Sequence, residues 1–250
     1  MIDYRIYLVT DEPSRYKGNW LDNIRAAVDG GVTCVQYRDT QSPIREQYAR
    51  ILALRDAIGT TPVIVNNDAE LARAVRADGV HVGQSDLPPT EVRAIVGRDC
   101  EIGLSITAPG QVAAIDRAAV DCIGIGPVFD ARKTKANAAD AMGTSGLRAV
   151  VDLIPDIPNC AIGGITLANA ADVLAAGAKG LAVVSAFSQA PDPYATARQF
   201  RALFESARQH PPLSLHPETP HPQNPESTRE NPAIQSVPIR EIRGQNPSTL

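Results

Sequence analysis

The sequence predicts a single-domain α/β barrel of the TIM (β/α)8 type followed by a structureless tail, and three observations carry this. Eight short apolar runs alternate with about eight amphipathic segments, at a spacing of roughly 25 residues. Nearly every run ends in polar or glycine-rich residues, as the carboxyl rim of a barrel requires. No G-x-G-x-x-G turn follows the first run, which disfavours the doubly wound open sheet that alternates in the same way.

The elements follow in order. A first strand is expected over 5–11, ending in Thr10 and Asp11, and then a helix over 20–28 that Gly30 and Gly31 stop. The second strand, 32–37, places Gln36 and Arg38 on one side of the chain and Tyr37 on the other. An isolated amide inside a barrel costs several kcal/mol if unpaired, so Gln36 should have a partner or a ligand. Pro43 opens a helix through 58, with Tyr48, Ile51 and Leu52 as its apolar face and Arg55 at the charged edge. Strand 62–66 ends at Asn66, followed by Asn67 and Asp68, and helix 69–75 comes next. Strand 78–82 leads to the loop Gly83 to Asp86 and to helix 91–96. Strand 101–105 ends in Ser105, with Thr107 just beyond, before helix 110–117. The sixth strand, 120–124, runs into a loop carrying Arg132, Lys133, Thr134 and Lys135, and helix 145–153 follows. Strand 159–162 ends at Gly163 and Gly164, and Thr166 can cap a helix over 167–174. The eighth strand, 179–183, ends at Val184 and Ser185, and helix 193–207 closes the barrel.

Beyond this the periodicity stops. Residues 1–209 are read as the barrel domain, and 210–250 as a proline-rich tail expected to be disordered, since it holds few groups able to form a core.

Composition narrows the function. The net charge of -4 and pI near 5.6 exclude a general nucleic-acid binder, while a local basic cluster can still serve a small phosphorylated ligand. No signal peptide and no membrane-spanning run is evident, so a cytoplasmic protein without membrane contact is expected. Cys34, Cys100, Cys122 and Cys160 lack the paired spacing of a zinc site and read as buried thiols. His81 is the sole histidine of the body and is expected to be a structural, hydrogen-bonded one; His210, His216 and His221 belong to the tail. The chemistry should therefore rest on carboxylate, amide, hydroxyl and cationic groups.

At the rim, Gly163, Gly164, Val184 and Ser185 form one candidate phosphate site, for which a plain tight turn at the glycines is the alternative. Arg38 and Lys135 suit a second, more highly charged anion. Asp86 is the candidate magnesium ligand, against the alternative of a solvated loop carboxylate. Asn66 and Asn67 could join that metal's shell through their oxygens or orient a phosphate through their amides.

Seven stretches in this order carry a resemblance: YLVTD at 7–11, VQYRD at 35–39, ADGVHVGQSDL at 77–87, GIGPVF at 124–129, Thr134-Lys135, AIGGIT at 161–166 and VVSA at 183–186. Together they resemble the thiamine-phosphate synthase family, over about residues 4–205. The resemblance implies small phosphorylated pyrimidine and thiazole substrates joined with release of pyrophosphate, and magnesium as cofactor; a homo-oligomer is left open by the sequence. It implies that Gln36 contacts the pyrimidine, that Arg38, Asn66 and Lys135 hold its pyrophosphate, and that Ser105 lies beside the reacting group. Arg38, Ser105 and Lys135 are thus the candidate catalytic residues. Asp86 and Asn67 resemble metal ligands, and Thr134, Gly163, Gly164, Val184 and Ser185 match the thiazole-phosphate region.

This chain departs from the family pattern at three places. Thr40 stands where Q-x-R-x-K carries lysine, and Asn67 stands where an N-D pair carries aspartate. Arg132 and Lys133 lengthen the loop before Thr134, so one of them could replace the cation missing at position 40. Two alternatives follow: a thiazole tautomerase-like enzyme, a branch that carries histidine just beyond the fifth strand where Thr107 stands here, and a decayed thiazole-phosphate-binding protein.

Overall fold

Eight short strands close this sheet, and nearly all of their residues are buried between the lumen and the helices. The structure, a computed structural model, describes residues 1–132 and 138–209. Strands β1 (Ile6–Val9), β2 (Cys34–Tyr37), β3 (Val63–Asn66), β4 (Gly79–Val82), β5 (Glu101–Ile106), β6 (Cys122–Ile125), β7 (Asn159–Ile162) and β8 (Leu181–Val183) pair in sequence order into a closed parallel barrel. Closure is made by β8 on β1, with Tyr7 opposite Ala182. Buried parallel strands need Val, Ile and Leu on the helix side and residues of varied size within. Accordingly Ile6, Leu8, Val35, Val63, Val65, Val80 and Ile123 join the outer core. Tyr7, Val9, Cys34, Ile64, Cys122, Cys160 and Ala182 fill the lumen.

The helices lie outside in the expected alternation: α1 (Trp20–Gly30), α2 (Ile44–Ile58), α3 (Ala69–Ala74), α4 (Pro89–Val96), α5 (Gly143–Leu153), α6 (Ala170–Ala175), α7 (Ser185–Ser188) and α8 (Pro193–Gln209). Asn19 caps α1 by accepting from the Leu21 and Asp22 N–H groups at 2.9 and 3.2 Å. Asp68 does the same for α3 through Leu71 N–H at 2.8 Å. Helix α8 buries Ala197, Phe200 and Phe204, a stripe at helical spacing, and Phe200 meets Phe187 of α7 with ring centroids 5.7 Å apart. Among the described residues, no helix is long and apolar enough to cross a membrane.

Several local expectations are corrected. The buried face of α2 is Ile51, Leu54 and Ile58, whereas Tyr48 and Leu52 are exposed. The segment expected as helix 110–117 is a 3-10 helix, Pro109–Ala114, which the Asp116 turn ends. Helix α6 begins at Ala170, later than expected, because Asn169 Oδ1 accepts from Thr166 N–H at 2.8 Å and folds the residues between into a turn. Helix α7 was not anticipated. All four cysteines are buried and free, as expected. Burial holds the Cys34 and Cys122 thiols well above their ordinary range and pushes Cys100 up to about 11. The tail 210–250 lies outside the described residues.

Candidate functional site

A cavity of about 170 Å³ opens where the carboxyl ends of the strands meet. Gln36, Arg38, Asn66, Ser105, Gly163, Gly164, Val184 and Ser185 all line it, so eight of the sequence-predicted site residues converge on one space. Asn67 and Asp86 are not in its lining, and Thr134 and Lys135 lie outside the described residues.

Two hydrogen-bonded pairs form the polar floor. Gln36 is 5% exposed, and its Nε2 donates to the Tyr7 hydroxyl at 2.7 Å. That answers the need of a buried amide for a partner. Tyr7 lies within the first strand, and the sequence reading assigns it no place beneath the site. Burial raises its phenol well above the ordinary range, so the hydroxyl stays neutral. The second pair is His81 Nε2 and Ser105 Oγ, 3.0 Å apart on neighbouring strands β4 and β5. His81 is therefore hydrogen-bonded, as the sequence reading held, and it also lines the cavity. Thr107 lines it too.

Arg38 reaches the cavity from a backbone that Thr10 fixes. The Thr10 hydroxyl donates to Arg38 O at 3.0 Å and accepts from Arg38 N–H at 2.8 Å. Behind it, Asp39 anchors the loop into α2: its Oδ1 accepts from Gln41 and Ser42 N–H, both at 3.0 Å, and its Oδ2 from Tyr37 and Arg50 at 3.0 and 2.7 Å. Burial by itself would raise this carboxyl, but the bonds from Ser42, Gln41 and Tyr37 outweigh it and bring Asp39 down to about 2. Thr40 turns to Glu12 instead of the cavity, with its Oγ1 3.2 Å from Glu12 Oε1.

The exits of β3 and β4 lie side by side, since Asn66 pairs with His81 and Asn67 N–H donates to His81 O at 2.8 Å. Asn67 adopts φ 64, a left-handed conformation that asparagine tolerates better than most residues. Asp86 folds back on its own loop, accepting from Gly83 N–H through Oδ2 at 2.7 Å. Among the described residues, no group of three His, Cys, Asp or Glu side chains could hold a metal ion. A carboxylate and an amide oxygen at neighbouring strand exits are donors of the hard-oxygen type that magnesium takes, and they are too few for an all-protein metal cage.

On the opposite rim, Gly163 and Gly164 have φ 100 and 63. A Cβ at Gly163 would lie 2.5 Å from Pro127 Cβ, and one at Gly164 would lie 2.7 Å from Phe129 Cβ. Both glycines are thus required by backbone conformation and by the β6–α5 loop that crosses them. Asp11, at the exit of β1, accepts from the Ser188 hydroxyl at 3.1 Å and so ties α7, which begins at Ser185, to the first strand. Sequence reasoning assigned Asp11 no such link. Arg132 pairs with Asp140 at 2.6 Å and Asp130 at 3.7 Å and is not in the cavity lining. Lys133 lies outside the described residues.

A family model described as thiamine monophosphate synthase matches residues 6–187. The chain belongs to the thiamine monophosphate synthase family. Within that family it is 43% identical over 205 residues to the thiamine-phosphate synthase of Chloroflexus aurantiacus, covering 81% of this chain and 94% of that protein. It is likewise 43% identical over 207 residues to the thiamine-phosphate synthase of Laribacter hongkongensis, covering 81% and 96%. Among solved structures, thiamine phosphate pyrophosphorylase from Pyrococcus furiosus superposes with a TM-score of 0.72 at 30% identity, covering 82% of this chain and 96% of that one. The family barrel itself is more widely shared: 3-hexulose-6-phosphate synthase from Salmonella typhimurium, at 18% identity, covers 81% of this chain and 99% of that one with a TM-score of 0.64.

Proposed function

We propose that this chain is a thiamine-phosphate synthase, joining hydroxymethylpyrimidine diphosphate to hydroxyethylthiazole phosphate. The observation that carries the reading is the convergence of Gln36, Arg38, Asn66, Ser105, Gly163, Gly164, Val184 and Ser185 on one cavity in a member of this family.

In this reading Gln36 meets the pyrimidine ring, and its attachment to Tyr7 presents the amide in one orientation. Arg38 and Asn66, with Lys135 from the segment outside the described residues, hold the diphosphate. Gly163, Gly164, Val184 and Ser185, with Thr134, hold the thiazole phosphate. The bond between the pyrimidine methylene carbon and the diphosphate oxygen breaks, and its electron pair leaves on the diphosphate. The thiazole nitrogen donates its lone pair to that carbon. No proton has to leave the nitrogen, so no general base is required. Catalysis rests on stabilising the charge that accumulates on the leaving group and on holding the two reactants in line. Asp86 and Asn67 would hold a magnesium ion, which would supply further neutralisation of the diphosphate.

The test is product formation from both purified phosphorylated substrates, with magnesium and again with excess chelator. Thiamine phosphate and diphosphate formed in equal amounts, and lost on chelation, are expected. Binding of the thiazole phosphate without coupling would reject the synthase reading.

A further inference from the structure

We propose that His81 is a positioning residue that fixes the Ser105 hydroxyl at the cavity floor; this rests on the synthase reading, in which Ser105 lies beside the reacting carbon. Two independent features of the barrel point to it. The first is the 3.0 Å contact between His81 Nε2 and Ser105 Oγ. A serine hydroxyl rotates freely unless a partner selects one direction, and the imidazole supplies that partner. The Ser105 carbonyl is held as well, accepting from Gln84 Nε2 at 2.8 Å.

The second feature is the space cleared for the ring. A Cβ at Gly103 would sit 2.2 Å from His81 Nδ1, and one at Gly124 would sit 2.8 Å from His81 Cε1. Gly103 is the register partner of His81, and Gly124 is the partner of Ser105. Glycine within a strand weakens it and often marks a close approach. Here two neighbouring strands give up side chains around one ring. The lumen therefore places the imidazole in a single pose under Ser105 instead of filling that volume with aliphatic groups. A histidine kept only to fill volume would need no polar partner on the next strand.

The experiment compares the wild-type enzyme with H81A, H81Q, S105A, H81A/S105A, G103A and H81A/G103A, measuring kcat, KM for each substrate and the thermal midpoint. Wild-type coupling is established first; its absence would overturn the synthase reading and this role with it. Given coupling, H81A should lower kcat by about tenfold, the cost of a misplaced group, with KM for the thiazole phosphate nearly unchanged. H81Q should recover most of the rate, because its Nε2 can occupy the place of the imidazole Nε2. The H81A/S105A double variant should be no slower than S105A, since His81 acts through that hydroxyl. G103A should lose kcat as H81A does and lower the thermal midpoint, and H81A/G103A should regain that midpoint because the ring is gone. Full kcat in H81A, or an H81Q variant as slow as H81A, with S105A impaired, would overturn the proposal while leaving the synthase reading intact. Losses in H81A and S105A that multiply in the double variant would overturn it as well.

Discussion

The Gln36 amide and the Tyr7 hydroxyl are joined at 2.7 Å beneath the cavity, both side chains buried in the barrel lumen. Removing the hydroxyl leaves a buried amide without that partner, which costs about 1–3 kcal/mol. Y7F is therefore expected to lower the thermal midpoint by several degrees. It should also raise KM for the pyrimidine diphosphate more than KM for the thiazole phosphate, because the Gln36 amide loses its fixed orientation. Steady-state kinetics with each substrate varied in turn, beside a thermal melt, checks both.

Thr40 is the second point of leverage. Its hydroxyl meets Glu12, at the position where the Q-x-R-x-K pattern calls for a lysine. T40K adds a cation beside Arg38 and gives it a choice between Glu12 and the diphosphate. A charge-assisted contact to the doubly engaged anion should lower KM for the pyrimidine diphosphate by about threefold or more, and the gain should shrink as salt is added. An unchanged KM at low salt would mean that Glu12 keeps the new side chain.

Asn67 predicts a metal phenotype. N67D places a second carboxylate next to the exit that carries Asp86. The magnesium concentration giving half-maximal rate should fall by about threefold to tenfold, while KM for the thiazole phosphate stays constant. A magnesium titration at saturating substrates reads this directly.

Asp39 predicts an acid dependence. Its carboxyl lies near 2 in the folded chain against an ordinary value of 3.8. A depressed folded value means that the unfolded chain binds the proton first, so the stabilisation is present above about 3.8 and is lost as pH falls toward 2. D39N should be less stable than wild type by about 2 kcal/mol near neutrality, since bonds to a buried charged group are removed. The difference should narrow over that acid window. Denaturant melts from pH 6 down to the acid limit of reversibility measure it; a difference constant with pH would assign the loss to packing.

The cysteines give the last prediction. All four are buried, and burial raises the thiols of Cys34, Cys100 and Cys122. A thiol-specific reagent should label none of them rapidly in the folded enzyme and all four after denaturation. Rapid native labelling of Cys160, which lines the cavity, would show that the floor opens to reagent.

The chain alone determined the barrel, because eight apolar runs with polar endings allow few other closed arrangements. It also determined the residues that line the cavity from the strand ends: Gln36, Arg38, Asn66, Ser105, Gly163, Gly164 and Ser185 are polar or glycine where the strand pattern stops, and Val184 lies between the last strand and Ser185. Local elements were less legible. Asn169 displaced Thr166 as the cap of α6 because a side-chain bond to Thr166 N–H made a turn there, a choice between two cap residues that composition does not rank. On α2, Tyr48 and Leu52 read as core by spacing, but the barrel wall presents room only to Ile51, Leu54 and Ile58.

What tertiary structure alone decided are the partners. Tyr7 is apolar in pattern and indistinguishable from an outward residue, because barrel strands are buried on both faces; pairing of β1 with β2 brings it under Gln36. His81 meets Ser105 and the two glycines only once β4, β5 and β6 lie in register. Arg132 is cationic in sequence, yet folding gives it Asp140 and Asp130. A sequence fixes which groups exist and their order along each strand. Pairing between groups many residues apart depends on strand register and barrel closure, which are properties of the whole sheet.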